Sequence, residues 1–359
     1  MKIIALYLPQ YHRTPENDLW WGKGYTEWTA VKNSRPLYKG HKEPRKPLKG
    51  NYYDLSDETG KTWKWQAELA NKYNIYGFCI YHYWFKGKKL LYRPMEILRE
   101  HPEIDIHYCI CWANETWCRN WYDQDRTVLM KQSYGQEKDW VKHYEYLNTF
   151  FQDERYIKIN NKPMINIYHS QDIDSLKEML ELWKKLAQKN GFDGIYVVSG
   201  VTNKGMDKRE ELIDARYMFE PGYTLKNNLN MLEQFKYIFS TATKRMVNKV
   251  FKTEILEHII DIRVIYKHIE NIKLKPNTFP GTFPQWDNTP RTKHTGLSYI
   301  NSTPELFKKH LEKLIEKYSD KEFLYINAWN EWGEGAYLEP DEENGFGFLE
   351  AIKEATRQD

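Results

Sequence analysis

Short apolar runs rich in β-branched and aromatic residues recur along this chain, separated by amphipathic stretches of helical period. That alternation constrains the fold more than any other feature. Strands that follow one another through helices pair in parallel, with the helices covering the sheet. Eight such runs are legible, at 3–8, 75–83, 106–112, 163–168, 194–199, 215–219, 278–284 and 323–330. Between them, 57–73 opens on acidic residues and carries an apolar stripe through Trp65, Leu69 and Ala70. Residues 175–189 repeat the pattern with Leu176, Met179, Leu180, Trp183 and Leu186. Thr303-Pro304-Glu305 supplies an N-cap, a proline at the first helical position and an acid in the first turn. The count predicts an α/β fold, a (β/α)8 TIM barrel, and 359 residues suit one domain (1–359) of that kind with insertions.

Two segments exceed a minimal barrel. Residues 9–54, after the first strand, form a long loop dense in Trp, Tyr, Pro and Gly, and ordered loops of that length tend to be functional. Residues 222–276, between the sixth and seventh strands, read as a helical insertion with Lys244, Arg245, Lys249, Lys252, Arg263 and Lys267. The simplest reading is a solvated, charged face packed on the barrel. The functional alternative is a helix making peripheral membrane contact, or holding a partner, near acidic lipid-linked glycans.

A net charge of +3 gives no general electrostatic case for nucleic acid. Aromatic residues make up 16% of the chain, a surplus that suits a ligand site as well as a core. Sugar rings stack their C–H faces on Trp and Tyr while their hydroxyls need polar neighbours, so an oligosaccharide or polysaccharide is one good fit among several ligand classes. Cys109 and Cys111 alternate with large apolar residues and read as small buried hydrophobes; no second ligand pair at metal spacing joins them. The apolar run after Met1-Lys2 stops at Pro9-Gln10, too short for a secretory h-region, so a cytoplasmic, reduced protein is expected. No GxGxxG follows a strand and no Walker-type loop occurs, so no cofactor is expected.

In such barrels the chemistry sits at the C-terminal ends of the strands. Those ends carry Tyr7, Gln10 and His12; Tyr81, His82 and Trp84; Trp112, Asn114 and Glu115; Tyr168 and His169; Glu220; Trp286 and Asp287; and Asn330, Glu331, Trp332 and Glu334. Glycoside cleavage needs one carboxyl group to protonate the leaving oxygen and another as base or nucleophile. Glu331 and Glu334, three apart, would share a face in a helical turn, with Gly333 and Gly335 allowing a tight bend. An isolated pair of this spacing is more often an exposed acidic turn. At the end of the last strand, after Trp329-Asn330, the catalytic reading takes precedence. Glu115 reads as a substrate contact, a secondary acid or a structural ion pair, and Glu220 and Asp287 stand similarly. His12, His82 and His169 could bond sugar hydroxyls, although single histidines are more often structural. Trp28, Trp84, Trp112, Trp286 and Trp332 are candidate stacking walls. No His/carboxylate spacing supports a metal.

The blocks Tyr7-Leu8-Pro9-Gln10-Tyr11-His12, Trp20 to Trp28, Tyr81-His82-Tyr83-Trp84-Phe85, Cys111 to Glu115, Trp286-Asp287-Asn288-Thr289 and Asn327 to Pro340 together resemble the WbsX, or glycoside hydrolase family 99-like, proteins. The resemblance spans nearly the whole chain and is weakest in the insertion. It implies a role in bacterial surface-polysaccharide or O-antigen biosynthesis, where such proteins are often labelled glycosyltransferases. Family 99 enzymes are retaining, metal-free α-mannosidases and mannanases on (β/α)8 barrels. Their motif is similar to Asn-Glu-Trp-His-Glu-Gly, which maps Glu331 onto the base that deprotonates the sugar 2-hydroxyl and Glu334 onto the general acid/base. Gly333 departs from that motif's His. Residues and resemblance together predict a retaining glycoside hydrolase or transglycosylase acting on a bacterial surface polysaccharide or its precursor, with an α-mannose type linkage expected. The alternatives are a glycosyltransferase of O-antigen or capsule biosynthesis and a non-catalytic glycan-binding protein.

Overall fold

The computed structural model describes residues 1–119, 127–202 and 208–357. All eight expected runs form strands: β1 (Lys2–Tyr7), β2 (Ile75–Phe85), β3 (His107–Trp112), β4 (Lys162–Ile167), β5 (Tyr196–Val201), β6 (Ala215–Met218), β7 in two pieces (Thr278–Phe279 and Gly281–Thr282) and β8 (Phe323–Ile326). Each pairs in parallel with its sequence neighbours, and β1 pairs with β8 through Ala5 opposite Ile326. The first half of β7 pairs with β6 (Tyr217 opposite Phe279) and the second half with β8 (Gly281 opposite Tyr325). The ring therefore closes through Pro280, which has no N–H to offer a ladder. A Cβ on Gly281 would lie 1.8 Å from the Met218 carbonyl oxygen, so only glycine fits this crossing. The fold is a (β/α)8 barrel.

The longer helices follow the expected order: α1 (Lys61–Lys72), α2 (Arg93–Glu100), α3 (Glu137–Phe151), α4 (Leu176–Lys189), α5 (Met231–Phe251), α6 (Ile262–Asn271), α7 (Pro304–Lys317) and α8 (Gly347–Ala355). The expected start of α1 at residue 57 moves inward because Asp57 turns back to accept from the N–H and hydroxyl of Thr59. The Thr303 hydroxyl accepts from the Leu306 N–H at 3.2 Å, which caps α7 as the sequence implies. Among the described residues, β5 and β6 are joined by nothing more regular than the 3-10 turn Glu210–Leu212.

Inside the barrel Tyr217 stacks on Tyr325 at 4.5 Å, and the Tyr325 hydroxyl donates to Asn166 Oδ1 at 2.9 Å. Cys79, Cys109 and Cys111 are free and buried, serving as small core residues. Within the insertion, His258–Asp261 pairs in parallel with Leu297–Ile300 outside the barrel, and α6 buries Ile262, Ile265, Tyr266 and Ile269. Helix α5 corrects the simple reading of a charged face packed on the barrel. Its buried residues are Thr241 and Asn248, and its large apolar side chains point outward. Among the described residues, no helix is long and apolar enough to cross a membrane.

Candidate active site

Beyond Ile326 the chain crosses the mouth of the barrel. The Trp329 N–H donates to the Leu6 carbonyl at 2.7 Å, and the Asn330 side chain clamps Leu8 from both sides, accepting its N–H at 2.8 Å and donating to its carbonyl at 3.0 Å. The first and last strands are thereby fixed to one another. Asn330–Glu331 then pairs antiparallel with Ala336–Tyr337 around the 3-10 turn Trp332–Glu334. Glu331 ends the strand and Glu334 ends the turn, and both side chains reach the Arg291 guanidinium, so the two converge. Gly335 closes the turn at φ 57°, and a Cβ there would lie 2.7 Å from the Asp287 nitrogen.

A buried carboxylate anchors this turn from below. Glu339 accepts from Trp332 Nε1 (2.6 Å), Gln66 Nε2 (2.7 Å), the Tyr53 hydroxyl (2.9 Å) and Trp329 Nε1 (3.1 Å). Burial still outweighs these donors and holds Glu339 at about 7. Trp332 stacks on Tyr337 at 3.7 Å with 1% exposure, so it supports the turn and offers no face to a ligand.

Arg291 occupies the centre of the site. Its Nη1 donates to Glu334 at 2.6 Å, its Nη2 to Glu331 at 2.9 Å and its Nε to Glu27 at 2.5 Å. The short helix Thr289–Thr292 aims Arg291, and Asp287 fixes that helix by accepting the Thr289 N–H at 3.0 Å and hydroxyl at 2.6 Å. Glu27 arrives from the long loop after β1, at the start of the helix Glu27–Lys32. A Cβ at position 333 would sit 2.0 Å from the Glu27 Oε1 and 2.8 Å from the Arg291 Nε. Glycine at 333 is therefore what admits the Glu27–Arg291 pair beside the two glutamates.

Three carboxylates on one guanidinium leave an excess of negative charge if all are ionised. Burial pushes Glu331 up to about 8; Arg291 pulls it down, and the charges of Glu334 and Glu27 push it up again. Glu334 is also raised, first by burial. The Glu331 side chain is 9% exposed and that of Glu334 27%, so Glu334 is the one reaching further into the cleft.

The cleft has a volume of about 480 Å³. Of the residues singled out from the sequence, Gln10, Tyr81, Glu115, Tyr168, Trp286, Glu331 and Glu334 line it. Trp21, Tyr83, Thr116, Trp117, Phe219 and Arg291 also line it. Trp286 Nε1 is buried with no hydrogen-bond partner among the described residues, a donor ready for a ligand. Glu115 stands at the rim, 3.4 Å from His169 Nδ1.

The remaining singled-out residues stand behind this wall. Tyr7 stacks on Trp63 and donates to Gln66, and Trp28 donates to the Tyr53 carbonyl. His82 faces His143 at 3.0 Å, with burial pushing it down to about 3, while Trp84 stacks on His143 and Trp112 packs edge-on against it. His12 is 3% exposed, and burial likewise depresses it to about 4. Asn114 ties down His169 by accepting its N–H and donating to its carbonyl. Glu220 is fully buried on the N–H and hydroxyl of Thr224 and pushed up to about 8 by burial. Asn330 and Trp332 hold the turn as described. Sequence reasoning missed Glu27 and Arg291 as site residues. The signal available was charge: two glutamates at a barrel mouth need a cation nearby, and Arg291 follows the Trp286-Asp287-Asn288-Thr289 block by two residues.

Asp287 faces a second, larger groove of about 940 Å³. There, among the described residues, His41, Glu43 and Asp287 bring ligand-type atoms within 4.8 Å of one another. Each is already satisfied. The Leu37 N–H donates to His41 Nδ1 at 3.0 Å, which leaves the ring proton on Nε2, 2.7 Å from Asp287 Oδ2. Ser298 also donates to Asp287, while Glu43 takes Ser34 and Arg45. The cluster stands as a hydrogen-bonded strut with no need of an ion.

Among solved structures, the GH99 endo-α-mannosidase from Bacteroides thetaiotaomicron in complex with bis-tris propane superposes with a TM-score of 0.59 at 12% identity, over 98% of this chain and 95% of that one. A glycoside hydrolase-like protein gives a TM-score of 0.61 at 13% identity over 100% and 94%. These likenesses establish the fold. The uncharacterized protein WxcX of Xanthomonas campestris pv. campestris is 32% identical over 359 residues, 98% of this chain and 49% of WxcX, so the chain spans about half the length of the curated relatives it matches. The model of the family described as Glycosyltransferase WbsX matches residues 3–352, and the chain belongs to that family.

Proposed function

We propose that this protein is a retaining glycosidase or transglycosylase for a bacterial surface polysaccharide or its precursor, working as one catalytic domain with Glu331 and Glu334 as the catalytic pair. The observation that carries the reading is the pair itself: two glutamates at either end of one turn, bridged by a single guanidinium in an aromatic cleft. Carboxyl groups that share one guanidinium lie close together. Both can then reach one sugar ring, Glu331 at the 2-hydroxyl and Glu334 at the glycosidic oxygen.

In the first step Glu331 takes the proton of the sugar 2-hydroxyl. The freed oxygen attacks its own anomeric carbon, and the glycosidic oxygen leaves with a proton from Glu334. In the second step Glu334 takes a proton from water or from an acceptor hydroxyl. That oxygen opens the anhydro ring at the anomeric carbon, and the 2-oxygen recovers its proton from Glu331. Glu331 acts as base in its ionised form; burial works against that form, and the Arg291 charge and hydrogen bond favour it. The Tyr81, Tyr168 and Trp286 walls stack and orient the rings, with an α-mannose type linkage as the expected substrate.

The family's description favours a second reading, a glycosyltransferase of O-antigen or capsule biosynthesis. One experiment separates the two. An α-mannan and O-antigen oligosaccharide panel is incubated with the protein and with Glu334→Gln, and products are read by mass spectrometry. Fragments or transfer products that fall by about 10²–10⁴ in Glu334→Gln establish the glycosidase chemistry. No cleavage, but consumption of a nucleotide sugar when acceptor is added, establishes the transferase.

A further inference from the structure

Helix α5 is built inside out for a helix on a soluble barrel. Its contacts with the rest of the protein are polar: Thr241 and Asn248 are buried, Tyr237 bonds His258, and Asn248 donates to the Ile255 carbonyl. Those positions fall on one face at helical spacing, 237, 241 and 248. The opposite face carries Leu232, Phe235, Ile238, Phe239, Met246 and Val250, each at least 60% exposed. At 100° per residue they fall within about a third of the helix circumference, and small Ala242 and Thr243 lie between Phe239 and Met246, so one apolar face runs along the helix. Phe235 and Phe239 stack on each other and on nothing else in the described structure. Scattered exposed apolar residues need no explanation, but a stripe several turns long does.

The charges beside the stripe say what would cover it. Residues 231–252 hold Lys236, Lys244, Lys249 and Lys252, besides Arg245, which Glu257 engages at 2.6 Å, against a single acid, Glu233, which His268 engages at 2.6 Å. A helix that docks on another protein chain usually carries charges of both signs at its edges. A single-sign basic border around an apolar stripe is the pattern of a helix lying in a lipid interface, with its cations at anionic headgroups. The lysines on the helix also rule out a membrane span.

We propose that the outward face of α5 seats this protein peripherally on an anionic lipid surface. The inference does not depend on the reaction proposed above, since no residue of α5 belongs to the cleft. The intact protein is floated with vesicles of phosphatidylcholine alone and of phosphatidylcholine with phosphatidylglycerol. It should bind the second and not the first, more weakly as salt rises. Phe235→Ser with Phe239→Ser should lower partitioning about tenfold or more. Lys236→Gln and Lys249→Gln should each lower it roughly fivefold. All four positions are exposed, so the melting temperature of each variant should match the parent. Three results overturn the proposal: no binding to the anionic vesicles, binding that the serine variant retains, or a dimer in solution that the serine variant breaks while vesicles capture nothing.

Discussion

The two polar clusters at the mouth of the barrel are neighbours, linked by the hydrogen bond from the Asp287 N–H to the Glu334 carbonyl at 2.7 Å, yet they are built on opposite principles. Around Asp287 every acceptor has a donor: His41, Ser298 and the N–H and hydroxyl of Thr289 on Asp287, Ser34 and Arg45 on Glu43. Burial pushes Asp287 up, but the His41 hydrogen bond and the Arg45 charge outweigh it and leave it below its ordinary value. Around Arg291 the balance fails. Three carboxylates converge on one cation, Glu27 Oε2 has no partner among the described residues, and Glu331 is driven up to about 8. The satisfied cluster lines the larger cavity and the unbalanced one the smaller. Under the proposed function, unresolved charge is the better guide to the reacting site and cavity size the poorer one.

The contrast can be broken from either side. Glu43→Gln removes the anionic partner of Arg45, whose side chain is only 14% exposed. A cation left without its partner should cost about 3 kcal/mol in urea unfolding, while turnover per folded molecule stays within a few-fold of the parent. A variant that melts normally but loses turnover would move the chemistry to the larger groove. Arg291→Met should show the reverse. Its stability cost should be smaller, about 1–2 kcal/mol at neutral pH, because carboxylates already pushed upward take up protons when the cation goes. Turnover should fall steeply, since Glu331 can then ionise only at higher pH.

How much of this was legible in the sequence follows from what each feature depends on. The eight strands were legible because each is a local apolar run bounded by turn signals. The break in β7 at Pro280 was not, since it matters only through two different neighbours, β6 and β8. Glu331 and Glu334 were singled out by their place at the end of the last strand, since their spacing alone reads more often as an exposed acidic turn. Glu27 and Arg291 lie 264 residues apart and meet only in the folded chain, where the absent side chain at Gly333 leaves them room. Several aromatics and histidines assigned to the rim, among them Trp28, Trp84, His82 and Trp332, turned inward instead. A strand end says where a residue is along the barrel, and a single misjudged face sends its side chain behind the wall. In α5 the basic residues were legible, but the outward direction of its apolar stripe was not, because periodicity reveals a stripe without saying what it faces.

A third contrast concerns pH, and it sets the two kinds of buried acid against each other. Glu331 and Glu220 both sit at about 8 and Glu339 at about 7, each raised first by burial from an ordinary 4.5. A carboxyl group raised on folding keeps a proton that the unfolded chain releases. Its contribution to stability is therefore full below 4.5 and is lost as pH rises through the folded value. Stability should decline from about 4.5 towards 8, by up to roughly 1.4 kcal/mol per pH unit for each such group. Glu220 is outside the cleft, so Glu220→Gln, which can still accept the Thr224 N–H, should flatten this decline by one group's share and leave the pH–rate profile unchanged. Glu331 acts on both curves. If it is the base, kcat/KM should climb through about 8 while the protein grows less stable, so the two pH trends run in opposite directions. A rate that falls through the same range would instead make Glu331 the proton donor and exchange the roles proposed for the pair, since the more deeply buried glutamate is the one that holds its proton longest.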